Sequence, residues 1–137
     1  MKVKVLSSGI IPVRHVEGQW LFLLLRIYTY WDFPKGEIHP GEDQWIAALR
    51  ELYEETNIKT ARDLWNKQFI ETEPYSKGKV ARYYLGEVDD QVIQLLPNPE
   101  TGIIEHHEYR WLKYEEARKL LGPRLKVVID WAHEILI

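Results

Sequence analysis

Apolar residues concentrate in two segments near the start of the chain. Lys2–Val13 mixes polar and apolar positions as strands do, and Trp20–Ile27 is apolar nearly throughout, which is typical of a strand buried on both faces. Glu17-Gly18-Gln19, between them, has the composition of a turn. The pattern therefore predicts a β-hairpin.

The pattern then changes from loop to helix. Tyr28–Asp43 contains two prolines and two glycines, which predicts a loop that ends with Asp43 as a helix N-cap. Gln44–Thr56 is the predicted helix. Its apolar residues recur at helical spacing and are expected to face the core, turning the opposite side toward a site; they are Ile46, Leu49 and Tyr53.

The remaining pattern completes an α/β chain. It predicts strands at Gln68–Tyr75 and Lys79–Val88 joined by a turn at Ser76-Lys77-Gly78, a loop at Leu96–Glu105, a short strand at Glu108–Leu112, and helices at Tyr114–Leu120 and Leu125–Leu136. Strands on both sides of a helix, followed by a helical end, predict a mixed sheet flanked by helices. A length of 137 residues predicts a single domain over residues 1–137.

Composition narrows the possible functions. Hydrophobic residues make up 45% and charged residues 28%, the balance of a globular protein. Cysteine is absent, which excludes a thiol nucleophile and a zinc–thiolate site. A net charge of −3 argues against broad nucleic-acid binding. We see no signal-peptide pattern, and the longest apolar run, Trp20–Leu25, is too short to span a bilayer, so we expect no membrane partner and a cytoplasmic location.

Three carboxylates crowd one side of the predicted helix. Glu51 lies three residues before Glu54 and four before Glu55, and both spacings place side chains on the same helical face. Like charges at this spacing repel one another, and a helix that tolerates them usually has a neutralising cation. Oxygen ligands without cysteine favour Mg²⁺ or Mn²⁺, ions that commonly accompany phosphate-bearing substrates.

The spacing around these carboxylates resembles the Nudix box. Gly36, Glu42, Arg50-Glu51-Leu52, Glu54-Glu55 and Asn57-Ile58 stand at its positions, and only Asn57 departs, where the family normally has glycine. Asparagine is the next most tolerant residue in left-handed geometry, so a helix end remains compatible with it. The resemblance implies the Nudix fold, an α/β/α sandwich with a mixed sheet between helices.

The resemblance also implies roles for the box residues. Glu51, Glu54, Glu55 and the carbonyl of Gly36 are the implied metal ligands, with Arg50 orienting the glutamates. Lys35, just before Gly36, either meets a phosphate oxygen as a point charge or is an ordinary exposed loop lysine.

Outside the box, the chain resembles the asymmetrical diadenosine tetraphosphate hydrolases of that family. Glu105, four residues before Tyr109-Arg110-Trp111, stands where those enzymes bring a glutamate to the metal, as ligand or as base, and Glu108 is the competing candidate for this role. Tyr83 and Tyr109 stand where their tyrosines hold an adenine, although either is equally a core residue. Lys79 either steers a polyphosphate or decorates an exposed turn.

These resemblances define the expected reaction. We expect Mg²⁺-dependent hydrolysis of a nucleoside polyphosphate, with Glu54, Glu55 or Glu105 accepting the proton of the attacking water. Diadenosine tetraphosphate is the first expected substrate. The alternatives are an RNA 5′-triphosphate end, because Trp31-Asp32-Phe33-Pro34-Lys35-Gly36 also resembles RNA pyrophosphohydrolases, and free nucleoside triphosphates. A non-catalytic nucleotide sensor is a further alternative, although such proteins typically lose box glutamates that are intact here.

Overall fold

The structure is a computed structural model that describes residues 5–137. Its strands are β1 (Val5–Val16), β2 (Gln19–Ile27), β3 (Tyr30–Asp32), β4 (Lys35–Glu37), β5 (Phe69–Glu71), β6 (Lys79–Glu87) and β7 (Glu108–Lys113). Its helices are α1 (Gln44–Thr56), α2 (Tyr114–Leu120) and α3 (Pro123–Leu136). None of the helices over this part of the chain is long and apolar enough to cross a membrane.

The strands form one mixed sheet. Its main path runs β3-β2-β1-β6-β5, with β4 paired to β1 and β7 paired to β2. β1 and β6 are parallel, and the other pairs are antiparallel. β1 also pairs with β4 and β6 through the same residues, Ser7 to Gly9, so it lies between the strand that precedes the α1 loop and the strand that carries Lys79.

Helices cover both faces of this sheet, and alternating side chains explain the two layers. Ile10 packs in the cluster beneath α1, whereas Ile11 packs in the cluster beneath α2 and α3. Leu23 and Leu24 divide in the same way. Neighbouring residues of a strand point to opposite faces, so a continuous apolar run supplies two cores at once. The predicted α/β/α sandwich is confirmed.

Most predicted elements are found, with changed ends. α1 and α2 have the predicted limits, β2 begins at Gln19, and α3 begins at Pro123. β1 continues to Val16, three residues beyond the predicted end, while residues 2–4 of that prediction lie outside the described part. Of the predicted strand Gln68–Tyr75, only Phe69–Glu71 forms a strand, which is β5.

Two predictions about the segment before and within α1 are wrong. Tyr28–Asp43 is not one loop, because β3 and β4 form inside it by pairing with β2 and β1. Ile46 and Tyr53 are 53% and 45% exposed, so they do not form the core stripe. The buried face lies one residue earlier and comprises Trp45, Ala48 and Leu52. This rotation carries Glu51 inward, to 9% exposure.

Candidate active site

Both ends of α1 are fixed by local hydrogen bonds. The Asp43 side chain accepts from the backbone N–H of Ile46 at 3.1 Å, which confirms it as the N-cap. At the other end Asn57 adopts a left-handed φ of 66° and donates its N–H to the carbonyl of Tyr53. Asparagine therefore fills the role expected of glycine, and the helix turn that carries the glutamates keeps its place.

Arg50 connects the acidic side chains of this region. Its Nη1 donates to Glu51 at 2.8 Å and to Glu54 at 3.1 Å, while its Nε donates to Glu42 at 2.8 Å. Its Nη2 also donates to the carbonyl of Glu37 on β4. These bonds lower the pKa of Glu42 to about 2, chiefly through the hydrogen bond from Arg50. The guanidinium thus links α1 to β4 and orients two of the predicted metal ligands.

Burial and the repulsion of a neighbouring carboxylate both act on Glu55. Burial raises its pKa well above the ordinary value, and the charge of Glu51 raises it further. Burial also raises the pKa of Glu51, although Arg50 opposes that shift. Two neighbouring carboxyl groups that resist ionisation are the arrangement that a divalent cation would relieve.

Gly36 lets the backbone of β4 approach Glu51 closely. An alanine Cβ built at Gly36 would lie 2.5 Å from Oε2 of Glu51, and closer still to Cδ and Oε1. The carboxylate therefore occupies space that any side chain at position 36 would fill. The Glu51 carboxylate and the Gly36 carbonyl are both hard oxygen donors, the type that Mg²⁺ and Mn²⁺ prefer, so their closeness in space fits a site for either ion.

A cavity of about 880 Å³ opens over these residues. It gathers all five predicted metal ligands and both predicted phosphate-binding lysines, namely Gly36, Glu51, Glu54, Glu55, Glu105, Lys35 and Lys79. Within residues 5–137, however, no three acidic or histidine side chains already form a cation-binding cluster. Arg50 engages Glu51 and Glu54 in this structure, so the ligand set stays a prediction.

Lys35 is held by a residue that the sequence reasoning did not select. Its Nζ lies 3.2 Å from Oδ2 of Asp32, and the attraction of that carboxylate raises the pKa of Lys35. Arg124 at the start of α3 lies 3.8 Å from the same oxygen. A signal was present, because Asp32 is the one acidic residue in the Trp31–Gly36 run.

The two predicted adenine-binding tyrosines have different environments. Tyr83 is fully buried, packs edge-on against Phe33, and donates its hydroxyl hydrogen bond to Oδ1 of Asp32 at 2.9 Å. With no exposed ring face it cannot stack on a base, so that prediction is wrong. Tyr109 on β7 is 41% exposed and remains accessible, although it does not line the cavity.

The loop before β7 brings further residues to the cavity. His106 places Nε2 3.8 Å from Oε1 of Glu55, and burial lowers its pKa. Asn98 donates to Oε2 of Glu105 at 3.0 Å. The sequence reasoning did not select Asn98, whose only signal was a polar residue between two prolines.

Known proteins are similar to this chain in sequence and in fold. A bis(5′-nucleosyl)-tetraphosphatase [asymmetrical] of Caenorhabditis elegans is 32% identical over 120 residues, which cover 83% of each chain. The solved structure of a C. elegans Ap4A hydrolase binary complex superposes with a TM-score of 0.82 at 28% identity, covering 97% of this chain and 98% of that one. An RNA pyrophosphohydrolase of Nitrobacter winogradskyi is 53% identical over 34 residues, 25% of this chain and 20% of that protein.

The family itself is identified over nearly the whole sequence. Residues 4–132 match the NUDIX domain, a family whose hydrolases generally use divalent metal ions. The match includes the box helix, both lysines of the cavity and the loop that carries Glu105. The chain belongs to the NUDIX domain family.

Proposed function

We propose that this Nudix hydrolase cleaves bis(5′-nucleosyl) tetraphosphates asymmetrically, giving ATP and AMP from the diadenosine compound. The observation that carries the proposal is the cavity, in which acidic side chains from α1 and the β6–β7 loop face two lysines. Its volume lies in the range of pockets that enclose ligands of nucleotide size. The asymmetrical tetraphosphatases similar to this chain over more than four-fifths of both lengths support the choice of substrate.

The residues suited to hold Mg²⁺, or Mn²⁺, are the carbonyl of Gly36 and the carboxylates of Glu51, Glu54, Glu55 and Glu105. A divalent cation bound there would offset phosphate charge and acidify a water molecule. Glu51 is the most tightly placed of the set, because Arg50 bonds it from one side and the β4 backbone packs on the other.

The chain's own residues divide the remaining tasks. Glu54, Glu55 or Glu105, all of which line the cavity, accepts the proton of the attacking water. Lys35, restrained by Asp32 beside the carboxylates, binds the phosphate chain and balances the charge of the leaving phosphate. Lys79 binds phosphate farther along the cavity. Tyr109 offers an exposed ring for a nucleoside.

The test is hydrolysis of diadenosine tetraphosphate in Mg²⁺ with identification of both products. Glu55→Gln should lower kcat by roughly 10²- to 10⁴-fold, the range expected for a lost general base. Glu115→Gln, an acid in the first turn of α2 outside the cavity, is the matched control and should keep full turnover. Wild-type turnover in Glu55→Gln would reject the role of this carboxylate, and symmetrical products would reject the substrate geometry.

A second candidate is removal of pyrophosphate from the 5′ end of triphosphorylated RNA. The 53% identity to an RNA pyrophosphohydrolase over 34 residues favours it. Comparing kcat/KM for the dinucleotide, for triphosphorylated RNA and for free nucleoside triphosphates separates these candidates. Absence of Mg²⁺-dependent turnover on all three would instead favour a nucleotide sensor built on the same fold.

A further inference from the structure

The loop between β6 and β7 is hydrogen-bonded to the C-terminal end of α1. The backbone N–H of Gln94 donates to the carbonyl of Thr56 at 2.9 Å, and the N–H of Leu96 donates to the carbonyl of Glu55. These bonds satisfy helix carbonyls that have no partner within the helix. The chain entering the loop is therefore fixed relative to Glu55.

The second half of the loop closes on itself around Asn98. The Asn98 N–H donates to the carbonyl of Ile103, and the Gly102 N–H donates to the carbonyl of Asn98, both at 2.8 Å. Glu105 follows two residues after Ile103 and lines the cavity. These bonds close the loop so that Asn98, near its start, and Glu105, near its end, both line the cavity.

The orientation of the Asn98 side-chain amide follows from its partners. Its Oδ1 accepts from the backbone N–H of Glu100 at 2.8 Å and from that of Thr101 at 3.4 Å. Backbone N–H groups can only donate, so the amide oxygen must face the loop and the NH₂ group must face outward. Nδ2 then donates to Oε2 of Glu105 at 3.0 Å.

We propose that Asn98 is a positioning residue that holds Glu105 for proton transfer or for cation binding. The bond engages Oε2 alone and leaves Oε1 for the reaction. Glu105 is otherwise an exposed side chain with many accessible rotamers, and one charge-assisted bond from a fixed donor reduces them. The inference rests on the proposed function only in assigning Glu105 a part in hydrolysis.

Two substitutions separate this role from the role of Asn98 in loop closure. Asn98→Asp is isosteric and keeps an oxygen for the Glu100 and Thr101 N–H groups, but it removes the donor to Glu105. Asn98→Ser is uncharged, keeps an acceptor for the local turn, and is too short to reach Glu105. Thr101→Ala is the control, because it removes a different loop bond, to the N–H of Ile103.

The kinetic test measures kcat and KM for the wild type, these variants, Glu105→Gln and the double variant Asn98→Ser/Glu105→Gln. We expect both Asn98 variants to lower kcat about 10-fold, the effect typical of residues that orient a ligand side chain. We expect no further loss when Asn98→Ser is added to Glu105→Gln. The inference would be overturned if Asn98→Asp lowered kcat and Asn98→Ser did not. It would also be overturned if Asn98→Ser lowered kcat equally in the wild type and in Glu105→Gln, or if Glu105→Gln alone kept full kcat.

A second readout needs neither turnover nor metal. The Asn98 side-chain NH₂ resonances in ¹⁵N-labelled protein should move when Glu105 is replaced by glutamine and stay in place in Thr101→Ala. Unmoved resonances in Glu105→Gln would show that the contact is absent in solution and would overturn the inference. If the wild type hydrolyses no polyphosphate, the proposed function fails, and this comparison still decides whether Asn98 holds Glu105.

Discussion

Gly36→Ala is expected to disturb the site through a single contact. Gly36 lacks the positive φ that favours glycine, so its backbone accepts alanine, and the cost comes from the new Cβ. That atom would lie 2.5 Å from Oε2 of Glu51, whereas ordinary van der Waals contact begins at 3.4 Å. The Glu51 carboxylate must therefore move away from β4.

The size of the effect follows from what Glu51 loses. Displacing the carboxylate strains its 2.8 Å bond from Arg50, and a hydrogen bond to a charged partner contributes about 1.5–3 kcal/mol. Overpacking of a tight contact costs about 1–3 kcal/mol. Moving the Glu51 side chain relieves the steric overlap but weakens the bond from Arg50, so the two costs are not added. We therefore expect the free energy of unfolding to fall by about 2 kcal/mol.

Urea denaturation in EDTA, arranged as a double-mutant cycle, tests this origin. In a Glu51→Ala background the cost of Gly36→Ala should fall below about 0.5 kcal/mol, because the obstructing carboxylate is gone. In a Glu54→Ala background the cost should remain near 2 kcal/mol, since Glu54 shares the Arg50 partner, whereas the three atoms nearest to the new Cβ all belong to Glu51. Equal costs in all three backgrounds would refute the reasoning.

Three further predictions concern burial. Glu55→Gln should stabilise the metal-free protein at pH 7. The pKa of Glu55 is raised in the folded state, so the free energy of unfolding falls as pH rises from 4.5 to the folded-state pKa, and glutamine removes this loss. A pH dependence of urea unfolding that is the same in the variant and the wild type would contradict this. Tyr83→Phe should lower the unfolding free energy by about 1.5–3 kcal/mol through loss of the Asp32 bond, with KM unchanged, and a raised KM would argue for contact with substrate. Leu52→Ala should cost about 2–5 kcal/mol and Tyr53→Ala less than about 1 kcal/mol, and equal losses in thermal or urea unfolding would contradict the assigned helix face.

The helix that carries the site could be predicted because its information is local. Asp43 caps the helix with its own side chain, and Asn57 ends it through its own backbone conformation. The three- and four-residue spacings around Glu51 likewise depend only on helical geometry. The core face was harder to predict, because two apolar stripes one residue apart fit the period, and the choice between Leu52 and Tyr53 is made by the sheet.

Other features could not be predicted because distant pairing decides them. β3 and β4 are three-residue strands, too short for a periodic pattern, and they exist through β2 and β1. Tyr83 and Tyr84 are both buried, so alternation along β6 gives no indication of which face each one takes. The bond from Asn98 to Glu105 depends on how an irregular loop closes, which composition does not specify.

The pairing of β1 with β6 has a consequence for synthesis on the ribosome. The register joins Val5 to Lys79 and Val13 to Glu87, so the first strand made must wait for a partner far downstream. At roughly 5–20 residues per second the delay is about 4–15 s. During that time β2 and β4 can pair with one edge of β1 and α1 can pack on one face of it. The edge that pairs with β6 stays open, and its unpaired backbone N–H and C=O groups can pair with other nascent chains. Yield in rapid expression should therefore depend on chaperones more than the stability of the finished fold would imply.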